Sequence, residues 1–222
     1  MSAERLARIA VVDYGLGNLF SVKHACEHEG MEAFVTSSKA DILGADGVIL
    51  PGVGAFGDAM TALQRLDLVG PLREVAAGTR PLVGICLGIQ LLMDESFEFG
   101  CHEGLGIIPG SVVRLDPLCE GDRELKVPQV GWNGVHPTRS WEGTLLEGLG
   151  DGEPMYFVHS FVVQPRTQNV VLSTTRYGQQ EFCSSLALGS VFACQFHPER
   201  SGRQGLKVYA NLKKVAEFIR KE

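Results

Sequence analysis

Apolar positions in this chain fall into short uncharged runs, separated by longer stretches in which they recur every three or four residues. Ile9–Val12, Ala33–Thr36 and Val48–Leu50 are aliphatic or β-branched runs of strand length, and Pro81–Cys86 is a fourth with no charge in it. Leu19–Glu29 reads as a helix stopped by Gly30, about Asp58–Ala77 as a second stopped by Gly78, and Ile89–Met93 opens a third. Strands so uniformly apolar are buried on both faces, as in a parallel sheet covered by helices. Glu95–Gly131 is rich in Gly, Pro and charge and reads as loops and short strands outside that core. Tyr156–Val163, Val170–Arg176 and Ser190–Phe196 are again strand-like, and a closing helix runs from about Gly205 to Arg220. With no repeat, low-complexity tract or linker, the expected fold is one α/β domain over residues 1–222, with a mostly parallel central sheet and helices on both faces.

Charge and composition narrow the function. Twenty Lys and Arg against 26 Asp and Glu leave a formal charge of −6, which argues against a nucleic-acid-binding surface. The longest uncharged apolar-rich run, Pro81–Met93, has 13 residues, whereas a membrane span needs about 20. Glu4, Arg5 and Arg8 break up the N-terminal apolar residues, so no signal-peptide core is present and a cytoplasmic protein is expected. The cysteines at 26, 86, 101, 119, 183 and 194 are scattered without a CxxC pair and are expected to be reduced. Their spacing with the histidines gives no zinc knuckle, and His24-x-x-x-His28 lacks the glutamate of a metalloprotease helix. Neither a metal nor a cofactor is expected.

One pattern carries chemistry. Gly84-Ile85-Cys86-Leu87-Gly88 follows a strand and opens a helix, the arrangement of a nucleophile elbow with Cys in place of Ser. Flanking glycines make room for a sharp turn, the helix N-terminus favours a thiolate, and the Leu87 N–H is free to meet an oxyanion. The same pattern also fits a small buried cysteine between close-packed glycines. A thiol nucleophile needs a base, and His197 is the best-placed histidine: it follows the strand-like run Val191–Phe196, and Pro198 after it keeps it extended. Both Cys86 and His197 then fall at C-terminal strand edges, where sites assemble in parallel α/β sheets. Glu199 shares the histidine's face in an extended chain and is placed to orient the ring. A solvated surface turn is the other reading of His-Pro-Glu. His102, His136 and His159 have no carboxylate at such an offset.

Pro51-Gly52-Val53-Gly54-Ala55-Phe56-Gly57 matches GxGxxG, but the next strand ends in Cys86, about 30 residues on, and not in the acidic residue a dinucleotide ribose requires. A backbone N–H presented to an oxyanion is the better use of such a flexible turn. Asp13-Tyr14-Gly15-Leu16-Gly17-Asn18 has neither a third glycine nor a phosphate-binding lysine and reads as a structural turn.

The segments Gly84–Gln90 and Gln195-Phe196-His197-Pro198-Glu199 resemble the signature pair of the class I, triad-type glutamine amidotransferases. Asp13–Val22, Pro51–Phe56 and Lys126–Asn133 are similar, within that family, to the branch that serves imidazole glycerol phosphate synthesis in the histidine pathway. The resemblance runs from about residue 9 to the C-terminus and implies a flavodoxin-like glutamine amidotransferase fold. By that resemblance Cys86 is the nucleophile, His197 the base and Glu199 its orienter, while Val53 and Leu87 supply oxyanion N–H groups. Gly52, Gln90, Glu98 and Ser160 are implied to contact glutamine, and Pro128, Trp132, Asn133, Tyr156 and Arg200 to face a partner. The chain departs from the family pattern at Arg200, commonly Lys, at Phe161, commonly Tyr, and at Gln129, commonly His. A cyclase of (β/α)₈ type takes about 250 residues, more than this chain holds, so the ammonia acceptor is expected on a separate subunit in a heterodimer. Two other functions fit the same triad: a stand-alone cysteine hydrolase, and a silent interaction subunit.

Overall fold

The computed structural model describes residues 5–116, 119–120 and 123–221; Glu4 of the charged N-terminal run lies outside them, and so does the Cys119 side chain. Five strands form the parallel half of the sheet, in the order β2, β1, β3, β4, β11, where β1 is Arg8–Val12, β2 Glu32–Thr36, β3 Gly47–Gly52, β4 Leu82–Cys86 and β11 Val191–Cys194. Every residue of β3, β4 and β11 is buried, which is why their sequences carry no polar alternation. Helices α1 (Leu19–His28), α2 (Lys39–Gly44), α3 (Phe56–Arg65), α4 (Val69–Ala77), α5 (Leu87–Leu91) and α6 (Gly202–Lys221) cover it. The core divides into two clusters, one packed around Val48, Leu50, Phe56 and Leu63, the other around Ile49, Ile85, Phe157 and Tyr209. No helix among the described residues is long and apolar enough to cross a membrane.

The sheet is more mixed than its apolar strands foretell. Beyond β11 it continues antiparallel through β10 (Gln180–Leu188), β8 (Phe161–Pro165) and β5 (Gly110–Arg114). A branch leaves β10 through β9 (Val171–Tyr177) to β6 (Gln129–Pro137) and β7 (Glu153–His159), again antiparallel.

Two expected elements are each split. The helix over Asp58–Ala77 is α3 and α4, separated at Asp67, whose φ of 53° ends the first. The Leu68 N–H reaches the Leu63 carbonyl at 2.9 Å and the Asp67 N–H reaches that of Gln64 at 2.9 Å, a Schellman stop with Asp where Gly is usual. The same stop closes α1 at Gly30, at φ 75°. The strand over Tyr156–Val163 is interrupted at Ser160 into β7 and β8, and that interruption lies in the wall of the site.

Candidate active site

Register alone brings the predicted residues to one rim. Gly52 at the end of β3 is the direct neighbour of Cys86 at the end of β4, and Cys194 in β11 is the neighbour of Ile85, so His197 emerges three residues beyond. Cys86 has φ 54° and ψ −107°, a backbone that turns the chain sharply from β4 into α5. The glycines around it are sterically required: a Cβ on Gly88 would collide with the Leu50 carbonyl oxygen, and one on Gly84 would lie 2.9 Å from the Gly88 carbonyl.

The Cys86 sulfur lies 3.8 Å from the Val158 carbonyl, to which the thiol donates, and 3.8 Å from Nε2 of Gln195, which donates to it. The buried His197 ring has Nδ1 2.8 Å from Oε1 of Glu199. A carboxylate only accepts, so Nδ1 carries a hydrogen and Nε2 is left for the sulfur side. Nε2 has no hydrogen bond within ordinary limits; such contacts tighten when substrate binds. Burial opposes charge on this ring, but the neighbouring Cys86 and the hydrogen-bonded Glu199 outweigh it and raise the His197 pKa to about 10. A protonated imidazole beside the sulfur is the partner a thiolate needs.

A cavity of about 260 Å³ opens on Cys86, lined also by Val53, Gly54, Leu87, Gln90, Glu98, Pro128 and Val158–Phe161. It suits a metabolite-sized ligand. A larger hollow of about 710 Å³, beside Phe192 and Phe218, contains none of the predicted site residues. Val53, Leu87, Gln90, Glu98 and Ser160 all line the smaller cavity. Pro128, expected at an outer face, forms part of the cavity wall, whereas Gly52 lies behind it: a Cβ there would collide with the Tyr14 hydroxyl and lie 2.9 Å from Leu87 Cβ. Gln90 already donates to the Phe161 carbonyl at 3.1 Å and to Oε1 of Gln195 at 3.2 Å. Oε2 of Glu98 accepts the Phe56 N–H at 2.6 Å, tying the cavity to the start of α3.

Outside the cavity Trp132 is exposed and meets Tyr156 edge-on at 6.0 Å, and the Arg200 guanidinium lies 4.6 Å above the Tyr156 ring. Asn133 donates to the Arg176 carbonyl at 3.2 Å. His136 pairs with Asp151 at the surface, 2.8 Å away, and His102 packs against Gly57.

The sequence reading missed two functional neighbours. Tyr14, read as part of a turn, donates its hydroxyl to the Pro51 carbonyl at 2.8 Å and so fastens the loop that carries Val53. Burial above all, and the nearby Cys86, push that phenol well above its ordinary pKa and keep it a donor. Gln195 stands inside the His-Pro-Glu signature, which was the available signal, yet its contact with the sulfur spans 109 positions.

The family profile described as glutamine amidotransferase class-I matches residues 10–214. The chain is 48% identical over 212 residues to the "Imidazole glycerol phosphate synthase subunit HisH" of Moorella thermoacetica, covering 96% of this chain and 95% of that one. It is 46% identical over 213 residues to the protein of the same description from Aquifex aeolicus, covering 96% and 99%. Among solved structures, PurLQS from Thermotoga maritima superposes with a TM-score of 0.72 at 21% identity, covering 93% of this chain and 97% of that one. A structure described as glutamine amidotransferase gives 0.70 at 20%, covering 94% and 98%.

Proposed function

This chain belongs to the class I glutamine amidotransferases, and from that footing we infer that it is the glutaminase subunit of an imidazole glycerol phosphate synthase. It hydrolyses glutamine to glutamate and ammonia and works in complex with a cyclase subunit. The observation that supports the mechanism is Cys86 in the wall of a small cavity, with His197, paired to Glu199, emerging from the strand next to its own.

In the proposed sequence the Cys86 thiolate attacks the side-chain carbonyl carbon of glutamine. The oxyanion that forms takes hydrogen bonds from the N–H groups of Val53 and Leu87, both in residues that line the cavity. Protonated His197 gives its proton to the departing nitrogen, the C–N bond breaks, and ammonia leaves a γ-glutamyl thioester on the sulfur. Neutral His197 then takes a proton from water, whose oxygen attacks the thioester; glutamate leaves and the ring is protonated again beside the thiolate. Glu199 holds the ring's Nδ1–H throughout. Gln90, Glu98 and Ser160 face the amino-acid end of the substrate, with Gly52 behind the oxyanion strand.

Ammonia released into neutral water is protonated and loses nucleophilicity, so it has to pass directly to the cyclase. We assign that subunit a (β/α)₈ barrel form and a docking face at Trp132, Asn133, Tyr156 and Arg200, with Pro128 at its inner edge. The exposed Trp132 beside Tyr156 and Arg200 supports this face, since aromatic and Arg residues dominate protein interfaces. The test is a glutaminase assay with and without the cyclase subunit and its nucleotide ligand. Stimulation by the partner and loss of all turnover in Cys86→Ala are expected; turnover in Cys86→Ala overturns the mechanism, and full-speed turnover without a partner favours a stand-alone glutaminase.

A further inference from the structure

Gln129 and His159 are direct partners across the β6–β7 hairpin, so their side chains project from the same face. That face points inward: Gln129 is 2% exposed and His159 is 6% exposed. Both polar atoms of the Gln129 carboxamide and Nε2 of His159 are buried without a hydrogen-bond partner among the described residues. Unpaired buried polar atoms are rare and costly, and three on two facing residues call for a physical reason.

The two side chains are chemically complementary. Nδ1 of His159 lies 3.0 Å from the Phe161 carbonyl, which only accepts, so Nδ1 carries the hydrogen and Nε2 presents a lone pair. A carboxamide NH₂ is the donor that lone pair lacks. Burial is the main reason the ring stays neutral: it lowers the His159 pKa to about 4, against the raising effect of the carbonyl bond and with a lowering contribution from His197. The groups around the ring are otherwise apolar, with Phe157 at 5.7 Å and Phe182 at 5.2 Å between ring centroids.

The same hairpin touches everything that matters to the reaction. Its outer face carries the Trp132–Tyr156 pair and the exposed Val130. Its end supplies the Val158 carbonyl to the Cys86 sulfur and, with His159 and Ser160, walls the cavity. A partner pressing on the outer face is therefore separated from the cavity wall by a single sheet layer.

We propose that Gln129 is a positioning residue: when a protein partner seats against Trp132 and Tyr156, the hairpin adjusts so that the Gln129 carboxamide donates to Nε2 of His159, and that bond sets the Val158–Ser160 wall for glutamine. The proposal rests on the partner-dependent function inferred above and assigns part of the stimulation to a named pair. The bond satisfies two of the three unpaired atoms, Nε2 of Gln129 and Nε2 of His159, only in the docked arrangement, so docking biases the hairpin toward it.

The experiment measures glutaminase kcat and KM of the full chain with the cyclase subunit and its nucleotide, for wild type, Gln129→Leu, Gln129→His, His159→Phe and the Gln129→Leu/His159→Phe pair. Gln129→Leu keeps the bulk and loses the donor, and its partner-stimulated kcat/KM is expected to fall about fivefold or more, chiefly through KM. Gln129→His, which keeps a ring N–H, is expected within about twofold of wild type, and the double variant to be no worse than His159→Phe alone. In wild type the nitrogen-15 resonance of His159 Nε2 is expected to move on complex formation as its lone pair accepts a hydrogen. Stimulation of Gln129→Leu equal to wild type, losses that multiply in the double variant, or an Nε2 resonance unmoved by the partner overturns the proposal; the last needs no variant to fold. A wild-type chain that no cyclase stimulates overturns the functional reading and the proposal with it.

Discussion

Replacing Cys86 by glycine removes the proposed nucleophile, yet it is expected to leave a more stable protein than replacing it by alanine. The residue sits at φ 54° and ψ −107°, open to glycine and costly for any side chain with a Cβ. A backbone held there costs about 1–3 kcal/mol, and glycine gives back about 0.5–1 kcal/mol through the greater freedom of its unfolded chain. At the middle of these two ranges the net advantage of glycine over alanine is about 1–2 kcal/mol. In a chain of 222 residues each kcal/mol shifts Tm by about 2–4 °C, so the glycine variant should melt about 2–8 °C above the alanine variant. Because both variants lack the sulfur, its contacts with Val158 and Gln195 cancel from the comparison. Differential scanning calorimetry in one buffer reads the difference, and a glutaminase assay checks that both are inactive. Equal melting temperatures, or a higher one for alanine, would refute the view that the surrounding packing forces this turn on the nucleophile.

The pH dependence of stability follows from His197, whose pKa is raised from 6.5 to about 10 by the cysteine and the glutamate against the pull of burial. A raised pKa contributes stability that is fully present below 6.5 and lost as pH climbs through about 10. The gap in urea midpoint between wild type and Glu199→Gln should therefore narrow across that window, and a constant gap contradicts the assignment. Gly88→Ala drives a Cβ into the Leu50 carbonyl of a buried strand; it is expected to cost about 1–3 kcal/mol and most of the glutaminase activity, and a wild-type denaturation midpoint counts against it. Trp132→Ala is expected to weaken cyclase binding by about 1–3 kcal/mol in titration calorimetry while basal glutaminase persists; undiminished affinity removes Trp132 from the interface.

The parallel half of the fold was legible because β1, β3, β4 and β11 are almost wholly buried and so spell themselves as unbroken apolar runs, Ile9–Val12 and Val48–Leu50 among them. The elbow was legible for a steric reason: glycines at 84 and 88 stand where a Cβ would meet backbone. The antiparallel wing was harder to read. β10 buries Ser184 and Ser185 by hydrogen-bonding them to Ser173 across the sheet, a pairing that local periodicity does not reveal. The stop at Asp67 escaped notice because its αL residue is not glycine. In the site, the triad types and their strand-end positions were readable, whereas Tyr14 and Gln195 act through contacts set by register between distant segments.

Cys86, the proposed nucleophile, and His197, the proposed base, are held by different contacts. Cys86 is fixed by β3 and β4 and by glycine contacts that leave no slack. His197 is held differently: its N–H donates to the Tyr156 carbonyl at 2.9 Å, and Ser201 Oγ accepts the Tyr156 N–H at 3.0 Å while donating to the His197 carbonyl at 2.7 Å. Tyr156 thus carries the general base on its backbone and, on its side chain, the contacts with Trp132 and Arg200 that face outward. The outer aromatic pair is thus linked through one residue to the backbone of His197, and the Val158 carbonyl that meets the sulfur lies two residues further along the same strand. A subunit docked as proposed therefore reaches His197 and the Val158 carbonyl through Tyr156, whereas Cys86 is held from the β3–β4 side.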